Sequence, residues 1–143
     1  MSADGLVWLC TDDRTLPDVE VIDQGLDAFN RALPALAQVR FLCCSVRLAS
    51  GGCIGGAVAR SWGEVCELRQ LWVDERWRRG GLGSGLVGRV EAEARARDCR
   101  LVQLDTFSFQ APEFYRRLGY TTVWTVAGFP DGIERHYLVK RLA

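Results

Sequence analysis

Five glycines crowd the interval from Gly80 to Gly88, at the junction of an apolar run and an amphipathic one, and no other feature limits the fold of this chain as strongly. The surrounding stretch, Glu67 to Gly88, reads ELRQLWVDERWRRGGLGSGLVG: an apolar strand, a short charged connection, then a turn that opens a helix. Gly80, Gly81, Gly83 and Gly85 let the backbone bend tightly and leave its amides uncovered by side chains, so that they can face an anion. The helix that follows adds the unpaired N–H groups of its first turn and the positive end of its dipole. Arg78 and Arg79 put fixed positive charge at the same mouth. A pyrophosphate suits that arrangement.

Two patterns share these letters. Gly83-Ser84-Gly85-Leu86-Val87-Gly88 is G-x-G-x-x-G, with Asp105 about twenty residues further on, as a dinucleotide fold requires. Arg78, Gly81 and Gly83 instead satisfy R-x-x-G-x-G. Context favours the second. A dinucleotide turn places its first glycine directly after the strand, whereas here Asp74 to Arg79 separate Val73 from the glycines and Gly88 falls inside the helix. No second series of alternating strands and helices follows. A Walker loop is excluded, since no Gly-Lys-Ser/Thr closes the run.

With this R-x-x-G-x-G turn the chain resembles the GCN5-related N-acetyltransferase (GNAT) superfamily, whose members bind acetyl-CoA there. Leu71-Trp72-Val73 is similar to the family's Leu-x-Val strand end. Ala111-Pro112-Glu113-Phe114-Tyr115-Arg116-Arg117-Leu118-Gly119-Tyr120 is similar to its A-x-x-F-Y-x-x-x-G-[FY] segment. The resemblance is strongest from Glu67 to Tyr120. It implies an α/β (α+β) fold: a mixed, mostly antiparallel sheet of about six or seven strands flanked by helices, with one β-α-β crossover at the cofactor site. It also implies acetyl transfer to a primary amine of a small molecule by direct attack, with acetyl-CoA as co-substrate and no metal. The alternative readings are an acyl-CoA sensor without turnover, a peptide or protein N-acetyltransferase and, remotely, a dinucleotide-binding protein.

At 143 residues, with 48% apolar and 25% charged side chains, the chain has the make-up of one soluble globular domain spanning residues 1–143. Its 18 basic and 18 acidic side chains cancel, which argues against a broad electrostatic footprint for nucleic acid. No apolar run approaches the roughly twenty residues of a membrane span, and MSADGLVW lacks the basic and long apolar parts of a signal peptide. The expectation is a cytoplasmic protein that engages neither membrane nor nucleic acid, and a homodimer is compatible with it. Among the six cysteines, Cys10, Cys43, Cys44, Cys53, Cys66 and Cys99, no C-x-x-C occurs, and the only histidine, His136, is remote along the chain. No zinc set is suggested, and thiols in apolar runs read as buried and structural.

Leu6 to Cys10, apolar and ended by Thr11-Asp12-Asp13, reads as a first strand. Val19, Ile22, Leu26, Phe29 and Leu33 recur at helical spacing between Asp18 and Leu36, in a helix broken near Gly25 or Pro34. Phe41 to Leu48 and Cys53 to Arg60, separated by Ala49-Ser50-Gly51-Gly52, read as a hairpin, and Val65 to Val73 as the next strand. Leu82, Leu86, Val90 and Ala94 give one apolar face to a helix reaching Arg97. Glu91 with Arg95, and Glu93 with Arg97, stand in i, i+4 order on what reads as its solvated side. Leu101 to Leu104 returns as a parallel strand through a right-handed crossover. Pro112 starts a short helix that Gly119 ends, and Tyr120 to Val126 and Arg135 to Val139 are the last strands, joined through Gly128-Phe129-Pro130-Asp131-Gly132.

Acetyl transfer from a thioester needs a deprotonated amine, a polarised carbonyl and a protonated leaving thiolate. The resemblance makes Tyr115 the general acid. It lays the pantetheine arm along the main chain of Leu71, Trp72 and Val73, and holds the pyrophosphate with Arg78, Arg79, Gly80, Gly81, Leu82, Gly83 and Ser84. Glu67, eleven residues before Arg78, stands at the separation where some members carry a general-base glutamate. Strand alternation puts Glu67, Arg69 and Leu71 on one face, so a Glu67–Arg69 surface pair is the competing account. Asp105, at a strand end, is a second candidate base and acceptor contact, and many relatives remove the proton through water. Ser108 stands where the family often has an asparagine against the cofactor arm; its hydroxyl still donates and accepts, with shorter reach. Phe29 and Asn30 are candidate acceptor contacts, against core packing and a helix-end role. Asp131, beside Glu134, attracts a cationic amine or is only solvated. The fold does not choose the acceptor.

Overall fold

The computed structural model describes residues 5–143, and contacts divide the chain into two compact units, Met1–Ala37 and Gln38–Ala143. In the first, Asp13 Oδ1 accepts from the Thr15 amide at 2.9 Å and from its hydroxyl at 2.7 Å, which turns the chain toward α1 (Asp18–Arg31). Asp18 and Glu20 occupy the first turn of α1, where the helix dipole favours acids. The helix passes Gly25 unbroken and stops short of Pro34, where a 3₁₀ turn (Pro34–Gln38) begins. Proline lacks the amide that another α-turn would use. Leu6–Cys10 does not form the expected strand: it is irregular, and no ladder takes it up. An apolar run becomes a strand only when a neighbour pairs its backbone groups.

The second unit carries a six-stranded sheet built from β1 (Arg40–Arg47), β2 (Cys53–Trp62), β3 (Val65–Val73), β4 (Leu101–Phe107), β5 (Thr121–Val126) and β6 (Arg135–Arg141). Its order is β1-β2-β3-β4-β6-β5. Every pairing is antiparallel except β3 with β4, which α2 (Leu82–Ala96) connects. That parallel ladder is short: Val65, Cys66 and Glu67 pair with Leu101, Val102 and Gln103, and the two strands then part. From Leu68 onward β3 has no strand neighbour on its β4 side.

A bulge sits at the point of parting. On β3, Leu68 opposes Ala59 and Gln70 opposes Val58, so Arg69 is an extra residue. An extra residue inverts the alternation of faces downstream. Cys66 and Leu68 are buried before it, while Leu71 and Val73 pack against the core after it. The expectation that Glu67, Arg69 and Leu71 share a face therefore fails: Leu71 lies with Leu68 on the core side. Glu67 faces away from the core and pairs not with Arg69 but with Arg60, directly opposite on β2, at 2.9 Å.

The core is filled by Leu86, Val87, Val90 and Ala94 of α2 against Ala57, Ala59, Cys66, Leu68, Val102, Leu104 and Leu138 of the sheet. Two of the charges expected on the solvated side of α2 are inside instead. Glu91 is buried and accepts from Lys140 Nζ at 2.9 and 3.1 Å and from the Tyr120 hydroxyl at 3.2 Å. It occupies the position four residues after Val87 and three before Ala94, within the apolar stripe rather than opposite it. Arg97 does pair with Glu93, at 3.1 Å, but its largely buried guanidinium also donates to the carbonyls of Arg40 and Phe41 and to Ser61 Oγ. Of the thiols, Cys66 and Cys99 are buried, whereas Cys10, Cys43 and Cys53 are exposed: Cys10 lies in the irregular segment before α1, and on strands that cover the core on one face only, as for Cys43 and Cys53, every second position points outward.

Candidate active site

Where β3 and β4 part they open a cleft of about 300 Å³. Leu68, Arg69, Gln70 and Leu71 form one wall, Leu104, Asp105 and Thr106 the other, and Gln110, Ala111 and Tyr115 close it. A parallel pair that splays leaves exposed N–H and C=O groups on its inner edges, a template for an added extended chain. The side chains of Leu71 and Val73 pack against the core, so at these two positions the strand offers a ligand its main chain, while Arg69 and Gln70 add exposed side chains to the cleft wall. The Val73 carbonyl is already engaged by Arg78 Nε at 3.0 Å.

Tyr115 reaches the cleft from α3 (Pro112–Arg117). Pro112 supplies the preset φ of a helix start, and Gly119, at φ 97, ends the helix in the left-handed region. There the Tyr120 amide donates to the Tyr115 carbonyl at 3.1 Å and the Gly119 amide to Arg116 at 3.0 Å, a paired cap that fixes the last turn. The Tyr115 ring stands edge to face against Phe114 (5.0 Å) and Tyr120 (5.8 Å). Its hydroxyl has no hydrogen-bond partner among the described residues, and burial alone pushes it up to about 12. It is therefore a protonated donor at neutral pH.

The turn ahead of α2 is held by Asp74, whose Oδ1 accepts from the Arg76 amide at 2.9 Å. Arg79 (φ 67) and Gly81 (φ 82) both take left-handed conformations, and no side chain caps the first-turn amides of α2. A Cβ at Gly81 would meet nothing within 4 Å, so backbone conformation rather than crowding requires glycine there. Gly83 is different: a Cβ would lie 3.3 Å from the Phe114 ring, so this glycine serves the packing of α2 on α3. Uncapped amides, open space over the turn and Arg79, which has no ion-pair partner among the described residues, fit a pyrophosphate.

Asp105 lines the cleft and is bound by Arg135 at 2.7 Å, whose guanidinium lies over Phe107 and Tyr137. Glu67 does not line the cleft; it borders a second depression, with Gln103, Trp124, Val126 and Tyr137, which shares Leu104 and Asp105 with the cleft. Ser108 is tied to the segment that leads into β6, its hydroxyl accepting from the Glu134 amide at 3.0 Å and its amide donating to the Glu134 carbonyl at 2.8 Å. Asp131 sits at φ 58 in an exposed 3₁₀ turn. Phe29 and Asn30 lie on α1, in the first unit. Gln110 escaped the sequence reading: its Oε1 accepts from the Phe107 amide at 2.8 Å and from the Thr106 hydroxyl at 3.2 Å, which leaves Nε2 as a donor at the cleft.

Residues 10–120 match the acetyltransferase (GNAT) family. The chain belongs to it. An acetyltransferase from Bacillus cereus has the same fold, with 31% identity, a TM-score of 0.75, and coverage of 94% of this chain and 98% of that one. A crystal structure from Agrobacterium tumefaciens described as an acetyltransferase superposes with a TM-score of 0.81 at 25% identity, over 96% of this chain and all of that one. In sequence, the blasticidin-S acetyltransferase of Streptomyces morookaense is 42% identical over 93 residues, 64% of this chain and 68% of that protein. The GNAT protein described here is thus an acetyl-CoA-dependent N-acetyltransferase, with acetyl-CoA as co-substrate. No helix among its described residues is long and apolar enough to cross a membrane.

Proposed function

We propose that this acetyltransferase acetylates a primary amine of a small molecule, with Tyr115 as the general acid. The observation that carries the reading is the Tyr115 phenol: it faces the cleft, is protonated at neutral pH, and has no partner among the described residues to compete for its proton. Arg79 and the amides at the start of α2 bind the pyrophosphate, with Gly81 shaping the turn. The free edge of β3 beyond Leu68 receives the pantetheine amides and presents N–H groups to the acetyl carbonyl, which stabilises the oxygen as charge develops on it. Asp105 lines the same cleft as Tyr115 and takes the acceptor's proton, while Arg135 holds its carboxylate in place. Tyr115 then delivers its proton to the departing thiolate.

A small acceptor is supported by the 42% identity to a protein named for acetylating blasticidin S. Incubation with acetyl-CoA and separate acceptors, read by product mass, tests this: blasticidin S, an aliphatic polyamine, a free amino acid and a peptide with an open N-terminus. The expected result is one added acetyl group on a small-molecule amine. Acetylation of the peptide alone contradicts the reading.

A further inference from the structure

The cleft accounts for Tyr115 but not for the charges buried behind it. Glu91 leaves the middle of α2 and enters the core, where Lys140 of β6 and the hydroxyl of Tyr120 meet its carboxylate. The Lys140 ammonium also lies 5.7 Å from the centre of the Tyr120 ring. Its stem runs over the end of α3: a Cβ at Gly119 would come within 3.3 Å of Lys140 Cε. A buried ion pair of this kind is weak as a source of stability, because the desolvation of both charges offsets most of their attraction. What it does supply is geometry, since each partner is held in one direction by the others.

That geometry leads to the acid. Tyr120 is the residue whose amide closes the cap on the Tyr115 carbonyl, and its ring forms one of the two aromatic walls against which Tyr115 stands. Its hydroxyl is fixed by Glu91, and Glu91 belongs to the helix that begins at the pyrophosphate turn. We infer that Glu91, Lys140 and Tyr120 are positioning residues: they tie the ring of Tyr115 to the helix that carries the cofactor turn, and so fix the acid relative to the bound thioester. The inference rests on Tyr115 being the general acid. The network touches no reacting atom and acts only through Tyr115.

A double-mutant cycle separates this from a merely structural role. Tyr120→Phe keeps the ring and removes its anchor. Displacing a catalytic group by about 1 Å costs on the order of a hundredfold, and a loosened ring is expected to lose about tenfold in the single-turnover rate, with CoA affinity unchanged. In a Tyr115→Phe background the same substitution should change nothing. A second route is Glu91→Leu with Lys140→Met, which removes both charges together and leaves neither buried alone; it should slow transfer similarly while the melting temperature holds. Equal losses in both backgrounds, or full-speed transfer by either variant, overturns the inference. An unchanged rate in Tyr115→Phe by itself overturns the general-acid reading and the inference with it, and is a different result from the others.

Discussion

A phenol and a thiol taken out of water both hold their protons more tightly, and here burial pushes the Tyr115 hydroxyl up to about 12 and the Cys66 thiol up to about 11. Both groups are neutral when protonated, so the unfolded chain gives up these protons first, near the ordinary values of 10.0 and 9.0. Their contribution to stability is complete below those values and is lost as pH rises through the folded ones. Unfolding free energy should fall between about pH 9 and 12, by about 1.4 kcal/mol per pH unit for each group in its window, seen as a falling melting temperature. A flat profile there contradicts the burial of both. The same shift has a kinetic side. An acid that stays protonated keeps working, so the transfer rate should show no falling limb from Tyr115 below about pH 11.

At the scale of elements, α2 joins the site to the rest of the second unit. It opens at the glycine turn, meets β6 and the end of α3 through Glu91, and closes on β1 and β2 through Arg97. Arg97→Ala removes a charged donor from two carbonyls and a hydroxyl and should lower unfolding free energy by about 2 kcal/mol, measured by urea denaturation. A change within error assigns Arg97 to the surface, as its i, i+4 spacing from Glu93 suggests. That spacing shows why the sequence was only partly legible. The turn, the hairpin, the crossover and the short helix that carries Tyr115 were readable because each depends on local letters: glycine, proline and period. Burial of Glu91 depends on partners 29 and 49 positions away, so steps of four from Leu82 drew the apolar stripe past it. The inserted Arg69 carries no letter of its own, yet it puts Glu67 and Leu71 on opposite faces of the strand. Leu6–Cys10 has the composition of a strand without a ladder to join.

For the whole molecule, family and geometry converge on one ligand. CoA at about a hundred times its dissociation constant should stabilise the fold by about 2.7 kcal/mol, seen as a raised melting temperature, whereas NAD should leave it unmoved. The reverse pattern contradicts the account of the glycine turn. The chemistry has a more direct test in Tyr115→Phe, which retains the ring between Phe114 and Tyr120 and deletes only the proton. CoA affinity is measured by calorimetry and acetyl transfer by product mass under single-turnover conditions, on the same purified variant. The account predicts unchanged affinity with a rate constant lower by on the order of 10²- to 10⁴-fold. Transfer at the wild-type rate with unchanged affinity contradicts it.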